Sequence, residues 1–128
     1  MHKAVISATG VFTPELSISN AELVAAFNAW AGAENVRNAS RIESGEVEAI
    51  GLSSEEFIVK ASGIERRYVL NKTGVLDPNV MHPVLPERGD DEISVMAEMA
   101  DSAANEALAK AGKTAADIDG VICAASNH

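Results

Sequence analysis

The sequence predicts an α/β protein, in which helices pack in layers against a sheet. Two short apolar runs, at 3–8 and 121–125, lack the alternation of a half-exposed strand and are typical of strands covered on both faces. Three other stretches repeat apolar residues at helical spacing, and each opens on a residue suited to capping a helix. This alternation of strand and helix indicates a layered α/β domain.

The first helix is predicted from the pattern at its N-terminus. Ser19 is followed three residues later by Glu22, the spacing at which the two side chains satisfy free backbone amides of a first helical turn. One face of this helix is then formed by Leu23, Phe27 and Trp30. Gly32 is expected to end or loosen the helix, since glycine is a weak helix former.

A short helix and a strand are predicted between residues 53 and 70. Ser53 and Glu56 repeat the capping spacing and predict a helix over 54–62. Gly63 follows it and suits the left-handed conformation found at helix ends. The run 64–70 is rich in aliphatic and aromatic side chains on one face and predicts a strand.

Two stretches, 28–52 and 71–90, are interpreted as insertions or loops. The polar part of the first, 33–52, has widely spaced apolar positions and predicts one loosely amphipathic helix or two short ones on the surface. The second contains three prolines and two glycines, which predict a long irregular loop. Loops of this length in compact domains are usually functional or inserted.

The strongest helical pattern begins at Asp90 or Asp91 and is expected to end at Gly112. Thr114 and Asp117 are predicted to cap a single turn before the last apolar run. The apolar face of the long helix consists of Met96, Met99, Ala100, Ala103, Ala107 and Leu108.

Composition limits the class of protein. Among 128 residues, ten are Lys or Arg and nineteen are Asp or Glu, so the net charge is −9, which argues against a nucleic-acid surface. No apolar run approaches the ~18 residues of a membrane span, and no secretory leader is recognisable. With 22 alanines and five aromatic residues the available core is modest. We therefore expect residues 1–128 to be one incomplete segment of a larger domain.

No catalytic or ligand-binding constellation is recognisable in the sequence. It contains no paired His or Cys at metal-binding spacing, no glycine-rich phosphate loop and no nucleophile elbow. The single cysteine, Cys123, excludes an internal disulfide and is interpreted as an inert core residue, because an apolar strand lacks the helix N-terminus or cationic neighbour that activates a thiol. The sequence predicts neither a metal ion nor a resident cofactor.

Six motifs, taken in order, carry a family resemblance. They are VISATGVFTP at 5–14, SNAEL at 19–23, SSEEFI at 53–58, SGIERR at 62–67, the helix at 96–111 and AADIDGVI at 115–122. In order and spacing they resemble the N-terminal part of the beta-ketoacyl-acyl-carrier-protein synthase III family. The resemblance covers most of the chain outside 28–52 and 71–90.

This resemblance implies a fold and an activity. The family has the thiolase-like fold, two related α/β halves in five layers, so this chain would be the N-terminal part of a thiolase-like layered α/β/α fold. The family's enzymes join an acyl group held on an active-site cysteine to malonyl-acyl-carrier protein, with loss of carbon dioxide, in fatty acid biosynthesis. The family's catalytic Cys, His and Asn match positions beyond His128. No catalytic residue is therefore expected in this chain, and the segment alone is expected to be inactive.

The resemblance also implies that three positions lie at the entrance for the pantetheine arm of coenzyme A or of the carrier protein. The family's adenine-stacking tryptophan matches Phe57, an arginine on the other side of the adenine matches Ala61, and a threonine near the nucleotide matches Ser53. Alanine cannot replace a planar, stacking cation. Ala61 therefore favours a carrier-bound donor or a longer acyl primer over coenzyme A priming by the usual clamp. Phe57 has an alternative interpretation, as a core residue on a helix face.

The implied partners are acyl-carrier protein, an acyl primer on coenzyme A or on carrier protein, and a second copy in a homodimer. A cytoplasmic location is expected, and neither nucleic acid nor a membrane is an expected partner. Two alternatives stay open. One is a related thiolase-fold enzyme that condenses acyl-coenzyme A, and the other is a non-catalytic thiolase-fold subunit or docking fragment.

Overall fold

A computed structural model describes residues 4–125, so Lys3 of the predicted first strand lies outside the described residues. Helix and strand are mixed along the chain, as predicted for the N-terminal part of a thiolase-like α/β fold. In chain order the elements are β1 (Leu16–Ser19), α1 (Asn20–Arg37), α2 (Ala39–Glu43), α3 (Glu55–Ser62), β2 (Arg66–Val69), α4 (Thr73–Leu76), α5 (Val95–Ala111) and a 3₁₀ turn (Ala115–Asp117).

The chain divides into two compact units, which we describe separately. The strand unit, Thr13–Glu87, contains both strands and the helices α1 to α4. The α5 unit consists of the described parts of 1–12 and 88–128 and contains α5 and the 3₁₀ turn.

The two strands pair antiparallel, with Leu16 opposite Val69 and Ser19 opposite Arg66. The strand predicted over 64–70 is therefore confirmed in β2. Its partner β1 was not predicted, because it is only four residues long and its pairing is with a segment about fifty residues away along the chain. The side chain of Ile18 in β1 is 1% exposed and lies in the core of the strand unit.

Helix α1 begins as its capping pattern predicts but is longer than expected. The hydroxyl of Ser19 accepts from the backbone N–H of Glu22 at 3.2 Å, and the carboxylate of Glu22 accepts from the backbone N–H of Ser19 at 2.9 Å. Of the two effects expected of Gly32, to end or to loosen the helix, the first is wrong, since α1 continues to Arg37. A single helical glycine costs only about 1 kcal/mol. In the last two turns Ala31 is fully buried and Asn35 bonds with Ile50, and these contacts offset that cost.

Helix α3 begins one residue later than predicted. The N-cap is Ser54, whose hydroxyl accepts from the backbone N–H of Phe57 at 3.1 Å, so the capping box assigned to Ser53 and Glu56 is wrong. The predicted end is confirmed, because Gly63 follows α3 with a φ of 69°.

The ranges interpreted as insertions contain short helices. Within 33–52 the chain completes α1 and forms the five-residue α2, whereas 44–52 contains no helix, so the helical prediction is confirmed only for the first part of this range. The loop predicted over 71–90 contains one helical turn, α4, in which Gly74 is buried. A Cβ at Gly74 would overlap the carbonyl oxygen of His82 and the side chain of Val84, so only glycine allows this close approach of the loop. Whether the two ranges are insertions stays a prediction.

The start of α5 also differs from the sequence prediction. Its N-cap is Ser94, whose hydroxyl accepts from the backbone N–H of Ala97 at 3.1 Å, rather than Asp90 or Asp91. The two aspartates lie instead in a turn in which Glu92 N–H donates to the carbonyl of residue 89 at 3.0 Å. The backbone of residues 89–92 therefore forms a turn and cannot also form the first turn of α5.

The end of α5 is as predicted. Gly112 follows the helix with a φ of 63°. Thr114 then caps the 3₁₀ turn, since its backbone N–H and hydroxyl donate to one carboxylate oxygen of Asp117 at 2.9 and 3.0 Å.

The two apolar runs that predicted strands form none in the described residues. Neither the described part of 3–8 nor 121–125 pairs with another segment of residues 4–125, and Ile6 and Ile122 are 88% and 97% exposed. A strand exists only through hydrogen bonds with a neighbour, which an apolar pattern alone does not provide. Cys123 is likewise exposed rather than in a core, which corrects the sequence interpretation.

Candidate functional site

A cleft of about 520 Å³ lies within the strand unit. Its walls come from α1, from the segment that leads into α3, from α3 itself and from single residues of β2 and the following loop. The lining residues are Leu23, Val24, Phe27, Gly51, Leu52, Ser53, Phe57, Ile58, Arg67 and Met81. Because most of them are apolar, the cleft suits a ligand that is mainly hydrocarbon with few polar groups.

The apolar face predicted for the first helix forms one wall. Leu23 and Phe27 lie four residues apart, hence on the same side of α1, and both line the cleft. Trp30 supports this wall, with its ring centroid 5.6 Å from that of Phe27 at an interplanar angle of 47°. Such a tilted aromatic pair stabilises the position of the lining ring.

The opposite wall is held to α1 by two asparagine side chains. The amide of Asn28 donates to the carbonyl of Ser53 at 3.0 Å and accepts from its N–H at 2.8 Å. The amide of Asn35 makes the same pair of bonds with Ile50, at 2.9 and 2.8 Å. Asn28 and Asn35 are seven residues apart on α1, which corresponds to a rise of about 10.5 Å. Ile50 and Ser53 are three residues apart in an extended segment, which spans about 10 Å, so each asparagine lies opposite its own partner.

Two of the three sequence-predicted site residues lie in the cleft. Ser53 and Phe57 both line it, from the segment before α3 and from α3. Phe57 is 65% exposed, whereas the buried apolar side chains of the described residues are Ile18, Ala26 and Ala31. Ala61, one helical turn beyond Phe57, is exposed and does not line the cleft.

Arg67 provides the one cationic side chain of the lining. One guanidinium nitrogen donates to the side-chain oxygen of Asn20 at 2.8 Å, and the Asn20 amide donates in turn to the carbonyl of Ile64 at 2.8 Å. Asn20 is 3% exposed, so this pair of bonds is fixed in the interior. Within residues 4–125, Arg67 forms no ion pair with a carboxylate. An anionic group of a ligand would find its counter-charge here.

The sequence did not distinguish Arg67 from its neighbour Arg66. The two are adjacent in a strand, where successive side chains point to opposite faces. Only the pairing of β2 with β1, which places Arg67 opposite Ile18, decides which arginine reaches the cleft. Arg66 is exposed and does not line it.

Met81 brings the 71–90 range into the same cleft. Its φ of 56° is in the left-handed region, which is unusual for a residue with a long side chain. The turn that holds it there has Met81 N–H donating to the carbonyl of Asp77 at 2.9 Å. Since Leu52 comes from 28–52, each range interpreted as an insertion contributes an apolar side chain to the cleft.

A carboxylate in the same unit fixes the start of α1 against the loop after β2. Glu22 accepts from the backbone N–H of Ser19 and forms an ion pair with Lys72, whose Nζ lies 2.9 Å from one carboxylate oxygen. The Ser19 backbone bond first, and Lys72 second, lower the pKa of Glu22 to about 2. Glu22 therefore stays ionised throughout the physiological pH range.

The part of the chain that the structure describes contains neither a metal-binding cluster nor a membrane-spanning helix. No three His, Cys, Asp or Glu side chains of residues 4–125 are grouped so that they could hold a metal ion. No helix among those residues combines the length and the apolar character needed to cross a bilayer.

The sequence is similar to two curated synthases. Over 101 residues it is 55% identical to the beta-ketodecanoyl-acyl-carrier-protein synthase of Pseudomonas aeruginosa, an alignment that covers 79% of this chain and 29% of that protein. Over 81 residues it is 41% identical to the beta-ketoacyl-acyl-carrier-protein synthase III of Rhizobium johnstonii, which covers 63% of this chain and 19% of that protein. The chain thus spans less than a third of the length of either relative. No family model matches it.

Proposed function

We propose that this chain, which belongs to the beta-ketoacyl-acyl-carrier-protein synthase III family, is part of an enzyme of fatty acid biosynthesis. The family consists of acyltransferases. The enzyme joins an acyl primer to malonyl-acyl-carrier protein and releases carbon dioxide. Its catalytic Cys, His and Asn are supplied by sequence that matches beyond His128, so the segment by itself is inactive.

The observation that supports this proposal most is the shared location of Ser53 and Phe57 in an open, apolar cleft. These are two of the positions at which the family resemblance implies an entrance for the pantetheine arm. A pantetheine thioester is a narrow, largely uncharged chain, and the cleft offers it apolar walls with few polar groups. The exposed ring of Phe57 is available for contact with such a ligand.

The primer we propose is an acyl chain of about eight carbons. Each condensation with malonyl-acyl-carrier protein adds two carbons, so a ten-carbon product like that in the name of the Pseudomonas relative requires an eight-carbon primer. The apolar lining, to which Leu52 and Met81 contribute, is consistent with a medium-chain donor. Ala61, in place of a stacking arginine, favours delivery of this chain on carrier protein rather than on coenzyme A.

The proposal also includes the partner protein, the oligomeric state, the location of the enzyme and a role for Arg67. Acyl-carrier protein is the partner that delivers the malonyl group, the full-length enzyme is a homodimer, and it acts in the cytoplasm. Arg67 lies in the cleft without an ion-pair partner among the described residues, and it supplies the counter-charge for the phosphate of the pantetheine arm.

The test uses the full-length protein and separates these donors. Acetyl and octanoyl primers, each on coenzyme A and on carrier protein, are incubated with malonyl-acyl-carrier protein, and the product thioesters are identified by mass spectrometry. The proposal expects ketodecanoyl-carrier protein as the main product, with carrier-bound octanoyl as the better primer. Formation of ketobutyryl-carrier protein alone, from acetyl-coenzyme A, would overturn the primer assignment while leaving the condensing activity in place.

A further inference from the structure

We infer that Asn28 is a positioning residue for the acyl donor, because it holds the wall of the cleft that the donor contacts. This inference rests on the proposed function, and it extends that function to residues outside the motifs that carry the family resemblance. Asn28 lies on α1 and does not itself line the cleft. It acts through Ser53.

Asn28 and Asn35 make the backbone hydrogen bonds that a neighbouring strand would otherwise make with residues 50–53. Residues 50–53 belong to no strand of the described chain, so their backbone groups lack the partners that a sheet would provide. Each asparagine amide both donates to and accepts from one residue of this segment, the exchange that paired strands otherwise make. The segment is thereby fixed to a helix at two points.

The two points differ in what they control. Ser53 lines the cleft and directly precedes Ser54, the N-cap of the helix that carries Phe57. Asn28 therefore fixes both the wall and the start of α3. Ile50, the partner of Asn35, does not itself line the cleft, although Gly51 directly after it does. Leu52 lies between the two points and remains 67% exposed in the wall.

This difference provides a matched pair of variants. Asn28→Asp keeps an acceptor for the Ser53 N–H but loses the donor, and it places a carboxylate against the Ser53 carbonyl. Asn35→Asp makes the same chemical change, on the same helix, at Ile50. Both variants lose equivalent hydrogen bonds, so a purely structural role predicts that both behave alike.

The experiment measures kcat and KM for the octanoyl primer, together with the melting temperature, in the full-length protein and both variants. We expect similar losses of melting temperature. Asn28→Asp should raise the KM for the primer by roughly threefold to thirtyfold with little change in kcat, as loss of one or two hydrogen bonds implies. Asn35→Asp should leave KM within about twofold of the parent. Hydrogen exchange of the peptide spanning 49–54 reports whether the wall has loosened.

Each outcome decides the inference. A raised KM in Asn28→Asp alone supports it, as does its partial recovery in Asn28→Gln if the longer amide restores both bonds. The inference would be overturned if Asn28→Asp and Asn35→Asp changed KM equally. It would also be overturned if neither variant changed KM although the peptide at 49–54 exchanged faster. An inactive parent enzyme would overturn the proposed function and this inference together, whereas an active parent with an unaffected Asn28→Asp overturns the inference alone.

Discussion

The side-chain amide of Asn28 makes both of its hydrogen bonds with the backbone of Ser53, at 3.0 and 2.8 Å. This relationship decides where the next helix begins. Because the Ser53 N–H and carbonyl are both hydrogen-bonded to Asn28, Ser54 rather than Ser53 is the N-cap, and α3 starts at Glu55. The register of α3 in turn places Phe57 in the cleft.

Replacement of Phe57 tests its assignment to the entrance. In the full-length protein, Phe57→Ala should lower kcat/KM for pantetheine donors by about two- to tenfold, since it removes an exposed aromatic contact, while the melting temperature changes little. Steady-state kinetics and thermal unfolding measure both quantities. Val59→Ala is the control, because Val59 is on the same helix but does not line the cleft. A drop of several degrees in melting temperature, with kinetics that change only in proportion, would instead identify Phe57 as a core residue.

Restoration of the family's arginine tests the preference for carrier-bound donors. Ala61 is exposed on α3, so an arginine fits there without a clash. Ala61→Arg should improve kcat/KM for acyl-coenzyme A by a few-fold up to about thirtyfold through stacking on the adenine, and leave carrier-bound donors unchanged. Ala61→Lys carries the same charge without the planar group and should give a smaller gain. No shift in the coenzyme A to carrier ratio, in a folded Ala61→Arg protein, would show that the entrance is misassigned.

Two glycine substitutions are expected to have opposite effects on stability. Gly74→Ala should destabilise the protein by about 1–3 kcal/mol, because the added Cβ overlaps the His82 carbonyl. Gly32→Ala should stabilise it by about 0.5–1 kcal/mol, since Gly32 is inside α1 and its Cβ would meet nothing within 4 Å. Urea unfolding measures both changes. Equal effects of the two alanines would contradict the packing of the 71–90 range described above.

The Glu22 carboxylate gives the stability of the protein a defined pH dependence. Its pKa is lowered from 4.5 to about 2, first by the Ser19 backbone bond and then by Lys72. A lowered pKa in the folded state contributes stability above the unfolded value, and this contribution disappears as the pH falls towards about 2. Glu22→Gln should therefore lower stability at pH 6 and flatten the decline between about pH 5 and 2. Lys72→Met should flatten it partly. A decline as steep in Glu22→Gln as in the parent protein would contradict the assignment.

The start of α1 and the ends of α3 and α5 were predictable from the sequence, because their signals are local, whereas the start of α5 is at Ser94 rather than at the predicted aspartates. Ser19 with Glu22, and the glycines at 63 and 112, lie where the pattern predicts. The start of α3 was not predictable, since two adjacent serines offer the same cap and only the distant Asn28 selects between them. Strand β1 was missed for a similar reason, since it depends on pairing with β2, which is distant along the chain.

The candidate site was predictable in part. Ser53 and Phe57 lie in sequence motifs that resemble the family, and both line the cleft. Arg67 and Met81 were missed as lining residues, because strand pairing and a left-handed turn decide their direction, and neither leaves a signal at short range. Ala61 was expected at the same entrance, across the adenine from Phe57, but it does not line the cleft.

The most direct test of the proposed condensation is the release of carbon dioxide from malonyl-acyl-carrier protein labelled at the free carboxyl group. With the full-length protein and octanoyl-carrier protein, we expect labelled carbon dioxide and ketodecanoyl-carrier protein to form in equal amounts, and release to depend on the primer. A folded, pure protein that releases no carbon dioxide with any acyl primer, or that transfers the acyl group without release, would contradict the claim that this chain is part of a decarboxylating condensing enzyme.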